Sequence, residues 1–316
     1  MLTLAIVVPC YNEQEILPQT AQRLAKKVND LQSAGLISAK STIVFIDDGS
    51  KDKTWELIAK YHQENPQAFS GIKLSKNRGH QNALLCGLLT VKDLYDAALS
   101  IDADLQDDID AIDGMIRQYS SGCEIVYGVR SNRASDSLFK KATAHFFYKL
   151  MSILGVQTIY NHADFRLMGR RALNALAEYG EVNLFLRGII PLLGYKTGVE
   201  YYARAKRTAG QSKYPLHKML NFALEGITSL SVKPIRFITL LGLLLLLVSI
   251  TMIIWSIYRH FNGHTIAGWA SLAVSLWAIG GLIIFSIGIV GEYIGKIYLE
   301  TKHRPRYAIE EFLHKN

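Results

Sequence analysis

Three polar clusters carry the residue types that phosphate and metal chemistry needs, and each closes a short apolar run. Asp102-Ala103-Asp104-Leu105-Gln106 follows Ala97–Ile101, Asp47-Asp48-Gly49-Ser50 follows Thr42–Ile46, and Pro9-Cys10-Tyr11-Asn12-Glu13 ends Leu4–Pro9. In an extended segment, side chains two residues apart point the same way, so Asp102, Asp104 and Gln106 converge on one point. Neighbouring carboxylates repel, and a divalent cation relieves the repulsion. All-oxygen donors favour Mg2+ or Mn2+, ions that also bind diphosphate oxygens and stabilise a leaving nucleoside diphosphate. The same acidic run also suits a solvated turn that caps the helix starting near Ile109.

The elements that must position these clusters follow from periodicity. Leu4–Pro9, Thr42–Ile46, Gly71–Leu74, Ala97–Ile101 and Glu124–Gly128 read as strands buried on both faces. Glu15–Leu31, Thr54–Glu64 and Ile109–Ser120 read as amphipathic helices between them. Alternating strands and helices predict an α/β domain with a mostly parallel, Rossmann-like sheet. In such sheets ligands bind beyond the carboxyl ends of the strands, which is where the three clusters fall.

After Pro234 the chain changes solvent. Ile235–Tyr258 and a stretch from Ala270 to Ile289 are almost continuously apolar, each long enough for the roughly 20 residues that cross a bilayer. The short link from Arg259 to Trp269 makes them a hairpin. Lys233, Arg236, Lys296, Lys302, Arg304 and Arg306 gather at its outer ends, which predicts a multi-pass protein of the cell (cytoplasmic) membrane. The large domain and both termini then lie in the cytoplasm. Leu138–Leu154 and Tyr214–Leu230 mix apolar residues with Lys and His, as interfacial or ordinary packing helices do. The predicted units are 1–213, catalytic; 214–234, interfacial helix and linker; 235–295, transmembrane hairpin; and 296–316, cytosolic tail.

The totals agree. Of 316 residues, 49% are hydrophobic and 20% charged, too apolar for a purely soluble enzyme and too polar for a many-helix transporter. A net charge of +8 suits anionic partners. No basic stripe interleaved with aromatic platforms is present, so nucleic acid is not the expected partner. Cys10, Cys86 and Cys123 are too scattered for a zinc site or a disulfide framework.

Taken with Ala163-Asp164-Phe165-Arg166, the three clusters occur in an order and spacing that resembles the inverting GT-A glycosyltransferases of family 2, specifically the dolichyl- and polyprenyl-phosphate sugar synthases. The tail Gly291-Glu292-Tyr293-Ile294-Gly295-Lys296-Ile297-Tyr298, followed by Arg304-Pro305, is similar to the bacterial branch with two C-terminal membrane helices, which includes bactoprenol glucosyltransferases. The resemblance implies transfer of a sugar, glucose or N-acetylglucosamine, from a UDP-sugar to polyprenyl phosphate, in a homo-oligomer with tetramers suggested. It further implies that Pro9, Tyr11, Glu13 and Asp47 hold the nucleoside, and that Asp102, Ala103, Asp104 and Gln106 hold metal and diphosphate. Arg130 would lie near the donor phosphates, and Arg207 and Lys213 on a loop closing over them. Asp164 is then the family's candidate base. A phosphate monoester is already largely dianionic at neutral pH, with a second pKa of about 6. Asp164 is therefore expected to orient sugar or acceptor, with Arg166 neutralising the lipid phosphate. His80 and His162 are read as lining the site or packing, and Glu292 as pairing with Lys296. Two rivals fare worse. A processive polysaccharide synthase needs a Gln-x-x-Arg-Trp motif and more spans, and a non-catalytic scaffold would not keep Asp102, Asp104, Gln106 and Asp164.

Overall fold

A computed structural model describes residues 1–131, 162–181, 184–203, 233–261 and 268–315. Its strands are β1 (Leu4–Cys10), β2 (Thr42–Asp47), β3 (Phe69–Leu74), β4 (Ala97–Ser100), β5 (Ile125–Arg130), β6 (His162–Gly169), β7 (Thr197–Tyr202) and β8 (Ile309–Leu313). The helices are α1 (Leu17–Ser33), α2 (Thr54–Glu64), α3 (His80–Val91), α4 (Ala111–Ser120), α5 (Arg170–Ala177), α6 (Leu186–Leu192), α7 (Lys233–Phe261) and α8 (Trp269–Thr301).

The strands form one sheet in the order β7-β5-β6-β4-β1-β2-β3-β8. β1 sits between β2 and β4, parallel to both, and all seven of its residues are buried. Each fully buried aliphatic side chain there contributes roughly 1.5–3 kcal/mol. One sheet face packs on α1, α2 and α4 through Leu24, Ile58 and Met115. The other packs on α3, α5 and α6 through Leu84, Leu173 and Ile189. α1 owes its place to Leu17, Ala21, Leu24, Val28 and Leu31, buried at three- and four-residue spacing, and it starts where Pro18 fits the first turn. α3 lies so close to the sheet that a Cβ on Gly87 would come within 2.5 Å of Val7 Cγ1 and 2.7 Å of Ile46 Cδ1.

The sheet is mostly parallel, as the pattern predicts, with two departures. β6 runs antiparallel to both β4 and β5. β8 runs antiparallel to β3, pairing Gly71 with Leu313 and Lys73 with Glu311. The segment read from sequence as a tail therefore carries an edge strand of the same sheet. Its pairing satisfies backbone groups that an edge strand leaves open.

α7 and α8 are long and apolar enough to cross a membrane, and none of the spans Lys233–Met252 and Ala278–Thr301 is buried. At 1.5 Å per residue their 29 and 33 residues extend about 43 and about 50 Å, more than the roughly 30 Å hydrocarbon core. Exposed side chains such as Leu240, Leu247, Ile283 and Phe285 give them an apolar surface that suits lipid rather than water. The stretches Leu138–Leu154 and Tyr214–Leu230 lie outside the described residues, as do Arg207 and Lys213.

Candidate active site

Asp164 is the hub of the site. It enters on β6, whose alternation sends Phe165 and Leu167 into one core layer and Met168 into the other. Its carboxylate accepts two hydrogen bonds from Arg187, Nε to Oδ1 at 3.2 Å and Nη2 to Oδ2 at 3.0 Å, and a third from Arg166 Nη2. His80, the first residue of α3, stands with Nε2 3.7 Å from Asp164 Oδ2 and 3.6 Å from Asp102 Oδ1. Ser100 Oγ donates to the Asp164 carbonyl at 2.5 Å, tying β6 to the end of β4.

The electrostatics follow from this packing. Burial alone would raise the Asp164 carboxyl, but Arg187, His80 and Arg166 outweigh it and hold the group well below the usual carboxylate range. Burial would lower His80, but Asp164 and Asp102 carry it above its ordinary value. Asp102 goes the other way. Burial, opposed by His80 and reinforced by the charges of Asp164, Asp107 and Asp104, pushes it up to about 6.

Asp102 Oδ1 is buried and, among the described residues, makes no hydrogen bond. A buried, under-satisfied carboxylate oxygen among other carboxylates suits a divalent cation. Among the described residues no three His, Cys, Asp or Glu side chains form a metal cage, so an ion here would take most of its ligands from elsewhere, such as donor phosphate oxygens. The acidic segment is not the extended stretch that sequence alternation suggested. β4 ends at Ser100, the Leu105 N–H donates to the Asp102 carbonyl at 3.2 Å, and Leu105 has φ of +43°. The chain turns instead, with Asp104 Oδ1 accepting the Gln106 N–H at 3.3 Å. The buried Ala103 anchors the turn by accepting from Thr20 Oγ1 of α1 at 2.6 Å.

The two remaining clusters are stitched together. Asn12 N–H donates to Ser50 Oγ at 2.9 Å, and Lys51 N–H donates to Asn12 Oδ1 at 2.8 Å. Glu13 N–H donates to Thr54 Oγ1 at 2.9 Å. Asp47 accepts from Ser50 N–H, and Asp48 accepts from the N–H groups of Arg78 at 2.7 Å and Gly79 at 2.9 Å. Pro9 is buried in β1 opposite Ile46, while Tyr11 is exposed beside the stitched rim. Gly49, at φ +65°, lies where a Cβ would fall 2.5 Å from Asn77 N and 2.6 Å from Lys76 C. Gly49→Ala is expected to destabilise the protein by about 1–3 kcal/mol, read as a lowered thermal midpoint that a control Gly180→Ala, which meets nothing within 4 Å, does not show.

Two arginines stand differently from their sequence reading. Arg166 is wholly buried beneath Asp164, its side chain 0% exposed. It is therefore not placed to meet a lipid phosphate, and its charge is spent on Asp164. Arg187, whose side chain is 35% exposed, presents the accessible guanidinium instead. Arg130, at the end of β5, gives Nη2 to Asp107 Oδ1 at 3.0 Å and Nε to the Tyr202 hydroxyl at 3.3 Å. Tyr202 in turn donates to Asp107 at 2.6 Å. Sequence reading did not single out Arg187, Asp107 or Tyr202. Only Asp107, beside the acidic run, carried a local signal.

The cluster is thus a carboxylate flanked by guanidinium groups, next to an under-satisfied carboxylate turn, at the carboxyl edge of the sheet. Comparison with known proteins gives the family. Residues 5–177 match the model of "Glycosyl transferase family 2", and residues 233–297 match that of the "GtrB C-terminal hairpin". The chain is 53% identical to the uncharacterized glycosyltransferase YkoT of Bacillus subtilis (strain 168), over 97% of this chain and 91% of that one. It is 39% identical to the bactoprenol glucosyl transferase of Shigella phage SfV, over 98% of each. It is 38% identical to a prophage bactoprenol glucosyl transferase homolog of Escherichia coli (strain K12), over 98% and 99%. With more than half of its length matched by the family model and full-length relatives of this kind, the chain belongs to glycosyl transferase family 2.

Proposed function

We propose that the protein is an inverting, metal-dependent transferase that moves a sugar from a UDP-sugar, glucose or N-acetylglucosamine, to undecaprenyl or another polyprenyl phosphate. The product would be a lipid-linked sugar for modifying cell-envelope glycans. The observation that carries this reading is Asp164 clasped by Arg166 and Arg187 beside Asp102, which sets one accessible guanidinium, suited to a phosphate, next to a carboxylate oxygen suited to a divalent cation. The names of the phage and prophage relatives support the lipid acceptor.

On this reading, the donor nucleoside lies against the rim of Pro9, Tyr11, Glu13 and Asp47, and its diphosphate against Asp102, Asp104 and Gln106, with Arg130 and the loop of Arg207 and Lys213 nearby. A bound Mg2+ or Mn2+ would supply Lewis-acid stabilisation of the departing diphosphate. Arg187 holds the acceptor phosphate at the mouth of the site, and Asp164 fixes the Arg187 fork. One phosphate oxygen attacks the anomeric carbon as the bond to UDP breaks on the opposite face, inverting the centre. No proton has to be removed from a dianionic phosphate. The α7–α8 hairpin confines the lipid beside the site, which raises its effective concentration. Because β8 re-enters the catalytic sheet, both outer ends of the hairpin face the same side of the membrane. The basic residues at those ends favour the cytoplasmic side. A homo-oligomer, as the resemblance implies, is part of the same reading.

The test is transfer by purified, detergent-solubilised protein from radiolabelled UDP-glucose and UDP-N-acetylglucosamine to undecaprenyl phosphate, with and without Mg2+ or Mn2+. A metal-dependent, organic-soluble product from one donor is expected. Absence of lipid product from every nucleotide sugar offered would overturn the reading.

A further inference from the structure

The segment leaving α8 is stitched to the sheet along Gly71–Leu74 of β3. Lys73 Nζ meets Glu310 Oε1 at 2.8 Å. His314 stacks on Phe312, with ring centroids 5.2 Å apart, and meets Tyr95 edge-on at 6.5 Å. Arg306 Nη2 donates to the Tyr179 carbonyl at 2.5 Å, and Tyr307 packs into the core layer that holds α3.

One contact reaches further. The Ser75 N–H donates to the Ala308 carbonyl at 3.0 Å, so the strand extends its grip onto the loop that follows β3. Three residues on, the N–H groups of Arg78 and Gly79 hold both oxygens of Asp48. Gly79, at φ +86°, then turns the chain into α3, where His80 stands between Asp102 and Asp164. The backbone of Lys76 and Asn77 meanwhile closes on Gly49. A single short loop thus connects β8 to both carboxylate clusters of the site.

We infer that residues Arg304–Leu313 are a positioning element of the donor site: by pairing with β3 they hold the loop Ser75–Gly79, and through it Asp48 and His80. This rests on the reading of those clusters as the donor site. It makes the way the chain leaves the membrane part of how the site is assembled.

The test uses the full chain in lipid nanodiscs against a variant lacking residues 305–316. Two quantities are read, the affinity for UDP with Mn2+ by calorimetry and amide hydrogen exchange by mass spectrometry. Deletion is expected to weaken UDP by about tenfold or more and to speed exchange at residues 75–80, leaving α1 and β1 protected. A synthetic peptide of residues 302–316 added in trans is expected to restore both. Unchanged affinity and unchanged exchange at 75–80 would overturn the inference. So would faster exchange throughout α1 and β1, because the strand would then serve only general stability. If the deleted chain does not fold, Glu310→Lys, which opposes Lys73 with a like charge on an exposed pair, carries the test. It is expected to move both readouts the same way by a smaller amount, and no movement would overturn the inference. UDP binding by the intact chain separates the two ideas. Its absence removes the donor reading, while exchange at 75–80 still reports whether the tail holds the loop.

Discussion

Asp164→Asn is expected to lower turnover by roughly 10²–10³-fold, the scale of losing one preorganised electrostatic partner, with no recovery at alkaline pH. The reason lies in what surrounds the carboxylate. Arg187, His80 and Arg166 together hold it well below the usual range despite its burial, which makes it a poor proton acceptor near neutrality. If it orients the Arg187 fork, the loss is the same from about pH 6.5 to pH 9, because the acceptor phosphate is a dianion over most of that interval. If it were a base, hydroxide would substitute for it and activity would climb with pH. The substitution also strands the wholly buried Arg166, whose Nε and Nη1 have no hydrogen-bond partner among the described residues. Stranding a buried charge costs about 3–5 kcal/mol, so turnover must be normalised to folded protein. The pH dependence of stability has a definite sign. A depressed folded pKa contributes stability that is complete above the unfolded value of about 3.9 and lost as pH falls through the folded one. The variant's midpoint should therefore differ most from wild type near neutrality and converge with it in acid. Alkaline rescue of turnover would restore Asp164 as the base.

Asp102→Asn should be as damaging to transfer, and its metal readout is independent of turnover. In wild type the carboxyl is pushed up to about 6 by burial and by Asp164, Asp107 and Asp104, against the opposing pull of His80. An acid with a raised folded pKa disfavours its own ionisation, so the metal-free protein should lose stability as pH rises from about 4 through 6. A divalent cation bound to the carboxylate reverses that loss. Mn2+ is therefore expected to raise the thermal midpoint clearly at pH 7.5, by the linkage of ligand to folding, and little at pH 5. In Asp102→Asn both the Mn2+ shift and the metal-free decline should disappear. A variant whose midpoint still rises with Mn2+ as much as wild type would remove Asp102 from the metal site.

What was legible in the sequence was whatever a local pattern encodes. β1, β2 and β4 announced themselves because strands buried on both faces are uninterrupted runs of apolar residues, and the polar clusters mark where those runs end. β6 did not, because His162–Gly169 carries Asp164 and Arg166 among its apolar residues and breaks any simple alternation. β8 is short, with two glutamates facing solvent, and nothing local says that it pairs with a strand more than two hundred residues away. The site divided in the same way. Asp102 was found by type and neighbourhood, and Asp164 only through the family resemblance of Ala163-Asp164-Phe165-Arg166. Arg187 reaches Asp164 only because α6 packs beside α3, where the Leu186 N–H is held by Gln81 Oε1 at 2.9 Å. The type of Arg166 was legible but its depth was not, since burial of a guanidinium is decided by the layers that cover it.

The position of β8 also changes what the two long apolar helices are. A chain that leaves a sheet, runs through two helices long and apolar enough to cross a membrane and returns to add a strand to the same sheet carries those helices as an insertion, not an appendage. Stopping the chain before Lys233 would then remove an edge strand together with the two apolar helices. A water-soluble form that keeps the whole sheet would instead bridge residues 232 and 302 with a flexible linker, leaving Ile309–Leu313 free to find β3.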